Sequence, residues 1–445
     1  MARLGFLTLL LGLVAAPPLA QGQSPPPSGQ DRSRGHRMLR QVREQLEKHY
    51  YDTTYHGVDL AKTYAQADSA IDVAGSLPEM VVTIAQFLAN LKDSHTSFYP
   101  PGYTARVVYG WTLQAIGDAC YLVSVKSGSD AERKGLRPGD RVLELDGLRP
   151  ARANLPMITY VYYRLSPRPG ARLVVEHPNG QQEEVTAQAE VQRGPAVVDI
   201  SDVEQRRFLE EQWRREGSHP NHHRKSFGDS VMVWRMHEFA SGNGVDYYDE
   251  TIDRYMAEAR KSRHLILDLR GNSGGVLVTL VRLLGHFFGD SIPLGTDVRR
   301  DTVVGLAVQP VGGAPYQGDV MILVDSWSAS AAEITARTLQ LNGRATVIGD
   351  RSAGAVMTSI FLPLEVGGAT RVVPFGMSVT VSDLIMPDGK SLEGTGVIPN
   401  IAVLPTAADL AAERDPALAF ALELAGVKID PRDAARIFSE KRPGG

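Results

Sequence analysis

The spacing of apolar residues changes character along the chain. "MLRQVREQLEKHYY" (38–51) and "LPEMVVTIAQFLANLKD" (77–93) place apolar side chains every three or four positions. That period predicts helices, and with them an N-terminal helical domain over 38–105. Between 106 and 192 the apolar positions fall in short alternating runs such as "DACYLVSV", broken by the Pro138-Gly139-Asp140 turn. A β-rich domain is expected there. From 231 to 405, apolar strands ("VMVWRM", "HLILDL", "VMILVDS", "ATVIGDR") alternate with amphipathic helices ("VLVTLVRLLGHFF", "AAEITARTLQL"). Strand and helix in alternation predict an α/β core, so the fold class is α/β within a multidomain α+β chain. The tail, 406–445, holds one more amphipathic helix, "DPALAFALELAGV".

Two polar stretches separate these parts. Residues 21–37 are a Pro/Ser-rich linker. Residues 193–230 are a charged linker in which His219, His222 and His223 invite a metal reading. Pro220 interrupts any shared helix face and no carboxylate stands at a ligand-like helical spacing, so a solvated helix and loop is expected instead.

Composition narrows the class. With 445 residues, the chain exceeds one ordinary core and two or three domains are expected. Hydrophobic residues at 43% and charged residues at 22% describe a globular protein, and a formal charge of −4 gives no bulk attraction to nucleic acid. The opening "MARLGFLTLLLGLVAAPPLAQGQ" reads as a secretory signal over 1–20, with Arg3 before an apolar run and cleavage near Ala20. The expected location is periplasmic or secreted, with no stable membrane insertion once the signal is removed. Cys120 is the only cysteine, so no intramolecular disulfide forms, and its strand-like neighbours make it a small core residue.

Candidate chemistry lies in four places. In "HLILDLRGNSGG" a strand runs into Gly274 and Gly275, where backbone N–H groups can face an anion; without a following Lys-Ser/Thr this is no phosphate loop. In "DSWSASAAEI" a strand hands over to a helix at Ser330. Its hydroxyl could cap the helix, or it could be a nucleophile whose attacked carbonyl is stabilised by the N–H of Ala331 and the helix dipole. A serine needs a base. "LANLKDSHTSF" offers His95, which could equally bond locally, and "MPDGKSLEGTGVIPNI" offers Glu393 and Lys390. No cofactor motif is present.

"DAERKGLRPGDRVLELDG" (130–147) closely resembles a PDZ domain, a module that binds extended peptides and free C-termini by strand addition. The order "LKDSHTSF", that signature, "LILDLRGNSGG", "SASAAEI", "GDRSAGA" and "LEGTGVIPNI" resembles the C-terminal-processing (tail-specific) protease and tricorn-core superfamily over about 38–425. The resemblance implies Ser330 as nucleophile and the amides of Ala331 and of Gly274 or Gly275 as the oxyanion hole. One branch of that superfamily activates its serine with a lysine ending a "GxxTxGK" motif; here that position is Ala355, which excludes such a dyad. The tricorn branch uses a histidine, a preceding serine and a late glutamate, which Ser94, His95 and Glu393 match. A Glu393–Ser94–His95–Ser330 relay is therefore implied, acting on unfolded or C-terminally recognised polypeptides. The competing expectation is a retired peptide- or ligand-binding protein of the same fold. A third option recruits Lys390 as base. A homo-oligomer stays open.

Overall fold

The computed structural model describes residues 26–102, 105–193, 222–239, 245–368 and 371–438. Residues 1–20, expected to be a secretory signal, and His219 lie outside them. Contacts divide the chain into two compact units, one of residues 1–219, 299–301 and 358–382, the other of 220–298, 302–357 and 383–445.

The first unit opens with three helices: α1 (Gly29–His49), α2 (Leu60–Val73) and α3 (Leu77–Ala89). Helix α1 starts inside the stretch expected to be linker. Ser28 accepts from the N–H of Asp31 and the Asp31 carboxylate takes the N–H of Ser28, a reciprocal cap that offsets the helix-poor composition nearby. Its buried stripe, Met38, Leu39, Val42 and Leu46, meets Ile84, Phe87 and Leu88 of α3 in one apolar cluster. Strand β1 (Ser97–Tyr99) pairs antiparallel with β17 (Arg371–Ile385), placing Phe98 opposite Met377, and β17 pairs with β16 (Thr358–Gly368). Residues 358–382 thus belong with this unit, although the sequence assigned them to the α/β core. Their long alternating strands bury Val366, Phe375, Met377 and Val379 against the helical cluster.

The expected β-rich segment is an antiparallel sheet ordered β3 (Trp111–Ile116), β4 (Ala119–Val125), β5 (Arg141–Leu145), β6 (Gly170–Glu176) and β7 (Gln182–Gln188). A short ribbon, β2 (Ala105–Val108) with β8 (Glu190–Arg193), flanks it, as do α4 (Asp130–Arg133) and α5 (Leu155–Tyr160). Cys120 is buried, and burial pushes its thiol up to about 11, as suits a core residue.

The second unit is built on a sheet ordered β18 (Ile401–Ala402), β15 (Thr346–Gly349), β14 (Asp319–Val324), β11 (His264–Asp268), β10 (Val231–Met236) and β9 (His222–Phe227). All neighbours are parallel except β9 with β10. The pleat sends alternate residues to two cores, which is why these strands read as nearly continuous apolar runs. Trp234, Leu265, Leu267, Ile322 and Val324 face one layer, with residues of α6 (Val245–Ala259), α7 (Leu277–Gly285) and α8 (Ala331–Leu341). Val233, Ile266, Met321 and Leu323 face the other, with Leu418 and Leu422. That second layer comes from the tail, whose helices are α9 (Ala407–Ala411), α10 (Pro416–Leu424) and α11 (Pro431–Ala435). A hairpin of β12 (Ile292–Arg299) and β13 (Val303–Val308) completes the unit.

Residues 222–227 correct the expectation of helix and loop: they form an edge strand. His222 packs against Trp234 and Tyr255, and burial drives its imidazole down to about 4. Among the described residues no helix is long and apolar enough to cross a membrane.

Candidate active site

Ser330 stands where β14 gives way to α8. Asp325 and Ser328 build the connection: Asp325 takes the N–H groups of Gly271 at 2.9 Å and Trp327 at 3.0 Å. Ser328 is fully buried and donates its hydroxyl to the Leu269 carbonyl at 2.7 Å, tying this loop to the end of β11. Ser328 is therefore structural. Ser330 has φ +53° and ψ −118°, a left-handed conformation that costs a β-carbon residue of order 1–3 kcal/mol and persists only where neighbours enforce it. The N–H of Glu333, the donor a capping hydroxyl would engage, goes to the Ser330 carbonyl at 2.9 Å.

The enforcing neighbour is Glu333, which sequence reasoning passed over. Its carboxylate is fully buried yet accepts from the Ser330 N–H (3.1 Å), the Ser352 hydroxyl (2.6 Å), the Gly354 N–H (2.7 Å) and the Ala355 N–H (2.8 Å). Burial raises its pKa, and those four donors oppose the rise. The Ser330 N–H is shared with the Ala355 carbonyl at 2.7 Å. The position that holds the base in the lysine-dependent branch thus adjoins the serine, and carries only a methyl group. An N-terminal Ser followed three residues later by Glu is the capping-box signal, and it was available in the sequence.

Opposite Ser330 run Gly274 and Gly275. Gly274 has φ +100°, and a β-carbon there would lie 2.5 Å from Ser330 Cβ. Its N–H is not available to a ligand, because it donates to Asn272 Oδ1 at 2.8 Å; Asn272 is itself buried and bonded to the Met236 carbonyl. Of the two glycines expected as donors, Gly274 thus has its N–H engaged within the loop and stands close to Ser330. Gly275 bridges to Phe239 through the Gly274 carbonyl and the Val276 N–H, and this turns its own N–H to the other side. Among the described residues neither the Gly275 N–H nor the Ala331 N–H meets an acceptor.

Glu393 is half-buried and accepts the Val356 N–H at 3.0 Å, one residue beyond Ala355. Its own N–H donates to Ser391 Oγ at 3.1 Å. The second unit therefore gathers Ser330, Ala331, Gly274, Gly275, Ala355 and Glu393. Lys390 sits on an exposed turn whose carbonyl accepts from Met386.

Ser94 and His95 belong to the first unit, between α3 and β1. Ser94 Oγ lies 2.7 Å from His95 Nδ1. Asp93, a second residue not singled out in the sequence, fixes this turn: it accepts from the N–H of His95 (2.8 Å), the N–H of Thr96 (3.1 Å) and the Thr380 hydroxyl (2.7 Å). Burial lowers the His95 pKa, and the Asp93 carboxylate opposes that shift. The ring is neutral near pH 7, the state a base requires. Among the described residues no group of three or more His, Cys, Asp or Glu side chains is placed to hold a metal ion.

Residues 231–403 match the profile of peptidase family S41. The chain is 32% identical to a carboxy-terminal-processing protease of Bartonella bacilliformis over 143 residues, 32% of this chain and 31% of that protein. It is 24% identical to a carboxyl-terminal-processing protease of Synechocystis over 288 residues, 63% of this chain and 58% of that protein. It spans, then, less than two thirds of either relative. The fold is similar to the crystal structure of mature CPAF, with a TM-score of 0.66 and 16% identity, covering 93% of this chain and 99% of that one.

Proposed function

We propose, from the match of residues 231–403 to the profile of peptidase family S41, that this protein is a serine endopeptidase that cleaves polypeptides through an acyl-enzyme on Ser330. The observation that carries the reading is the strained Ser330 at the start of α8, beside two backbone N–H groups that no acceptor occupies among the described residues. A peptide carbonyl attacked by Ser330 Oγ would leave its oxyanion facing the N–H of Ala331 and of Gly275, in the field of the helix N-terminus.

His95 is the general base of this reading. Its Nε2 takes the Ser330 proton, the alkoxide attacks, and the imidazolium returns that proton to the leaving amine. Water then enters by the same route and releases the acyl group. For Nε2 to accept, Nδ1 must carry hydrogen, which the 2.7 Å contact with Ser94 Oγ supports. In the proposed relay Ser94 would pass its hydroxyl hydrogen to Glu393, whose negative charge would favour the imidazolium. Ala355 removes the lysine alternative. Residues 106–192 recruit substrate tails as a PDZ-like module, through the open edge at β3. Export follows from the leader at residues 1–20.

A fluorophosphonate probe tests this directly. The chain should be labelled and should hydrolyse unfolded casein; Ser330→Ala should lose both, and His95→Ala should lose at least about a hundredfold in turnover. An unlabelled, folded chain would leave the peptide-binding reading in its place, and full activity in His95→Ala would remove the assigned base.

A further inference from the structure

The loop bearing Gly274 and Gly275 is held at its base by a helix that lies beyond the matched family segment. Strand β11 ends at Asp268 and the loop begins at Arg270. The guanidinium is divided between two carboxylates: Nε and Nη2 donate to Asp268 at 2.8 and 2.9 Å, Nη1 and Nη2 to Asp415 at 2.8 Å each. Asp268 is fully buried, and the Arg270 and Asp415 side chains retain only 17% and 13% exposure. Asp415 also caps α10, accepting the Leu418 N–H at 3.0 Å, while its own N–H donates to the Pro431 carbonyl at 2.8 Å. The tail helix is thus bolted to the first residue of the loop by a planar, two-pronged contact that lysine could not reproduce.

We propose that Asp415 is a positioning residue for the loop: through Arg270 it holds the base of the loop, while the bridge to Phe239 turns the Gly275 N–H at the far end. The other anchors of the loop have neutral donors. Gly271 is tethered to Asp325 and Asn272 to Met236 and Ala329 through single hydrogen bonds, and Gly274 and Val276 to Phe239 through one backbone bond each. Among the described residues, Arg270 joins the loop's base to the core by a charged, multiply bonded contact. The catalytic part of the inference rests on the proposed oxyanion role of Gly275; the mechanical part does not. The tail, on this account, completes the active site as well as covering the sheet.

Asp415→Asn separates positioning from folding, because asparagine caps a helix as well as aspartate while the charged fork is lost. On the full-length chain, hydrogen exchange of the peptide spanning 270–276 should accelerate about tenfold in Asp415→Asn. Its kcat on casein-derived peptide should fall about tenfold with KM unchanged within about twofold, and Arg270→Lys should match it. Unchanged exchange in that peptide overturns the inference whether or not the chain hydrolyses peptides. Unchanged kcat with faster exchange overturns its catalytic part. Absence of turnover in the unaltered protein sinks the peptidase reading alone, since the exchange comparison still decides the mechanical claim.

Discussion

The carboxylate of Glu333 holds the backbone N–H of Ser330 at 3.1 Å from within the same helix turn. The strained φ of Ser330 therefore has a definite cause, and it can be removed. In Glu333→Gln one of the two acceptor oxygens becomes a donor, facing N–H and hydroxyl groups that need acceptors. Leaving such groups unpaired costs about 1–3 kcal/mol. We expect stability to fall by that amount in urea melts, and kcat per folded molecule to fall about a hundredfold. Normal kcat in the folded variant would show that Ser330 keeps its geometry unaided.

The lowered pKa of His95 fixes a direction for pH dependence. A base that loses its proton below the ordinary 6.5 remains active in mildly acidic solution. The acid limb of kcat/KM should therefore have its midpoint below pH 6.5. Asp93→Asn removes the carboxylate that opposes the shift, so the limb should move further toward acid. For stability, the unfolded chain binds a proton at His95 that the folded chain resists, so this residue's contribution declines as pH drops below 6.5. A limb above 6.5, or one that moves upward in Asp93→Asn, contradicts the assignment.

Much of the core was readable because β10, β11 and β14 are buried on both faces and must be apolar throughout, a signal that needs no partner to interpret. The same independence let Ser330, Gly274 and Gly275 be picked out as candidates, each sitting at a strand end with distinctive small neighbours. What stayed hidden depended on distant pairing. Strands β16 and β17 look like more core sheet, yet 358–382 pack with the first unit, because their partner β1 lies far back in the sequence. Asp93 was invisible for a similar reason: its acceptor role involves Thr380, 287 positions away. Glu333 was the exception, announced by its spacing from Ser330.

Two glycines offer a controlled pair. Gly271 and Gly274 both have positive φ, +71° and +100°. A β-carbon at 271 meets nothing within 4 Å, whereas one at 274 would press on Ser330 Cβ, the Ala329 carbonyl and the Ala331 N–H. Gly271→Ala should cost only about 1 kcal/mol of backbone strain and keep most of the turnover. Gly274→Ala should abolish labelling of Ser330, because the loop must back away from the serine. Equal labelling of the two variants would mean that the approach of Gly274 to Ser330 has no bearing on the site.

Asp268 supplies the last test, on stability. Burial alone would raise its pKa, but the guanidiniums of Arg235 and Arg270 outweigh that and hold the carboxyl well below its usual 3.8. A depressed acid adds stability above the unfolded value and loses it as pH falls through the folded one. Asp268→Asn leaves both guanidiniums facing a neutral group in a buried position. Breaking such a contact costs about 3–5 kcal/mol, enough to consume a large part of a typical folding free energy. Denaturant melts at pH 7 should show that loss, and the gap between variant and parent should narrow as the solution is acidified below pH 3.8. A parallel pair of curves would mean that the carboxylate is not the group whose protonation weakens the fold, and a loss under about 1 kcal/mol at pH 7 would mean that water reaches Arg235 and Arg270 as soon as their partner is gone.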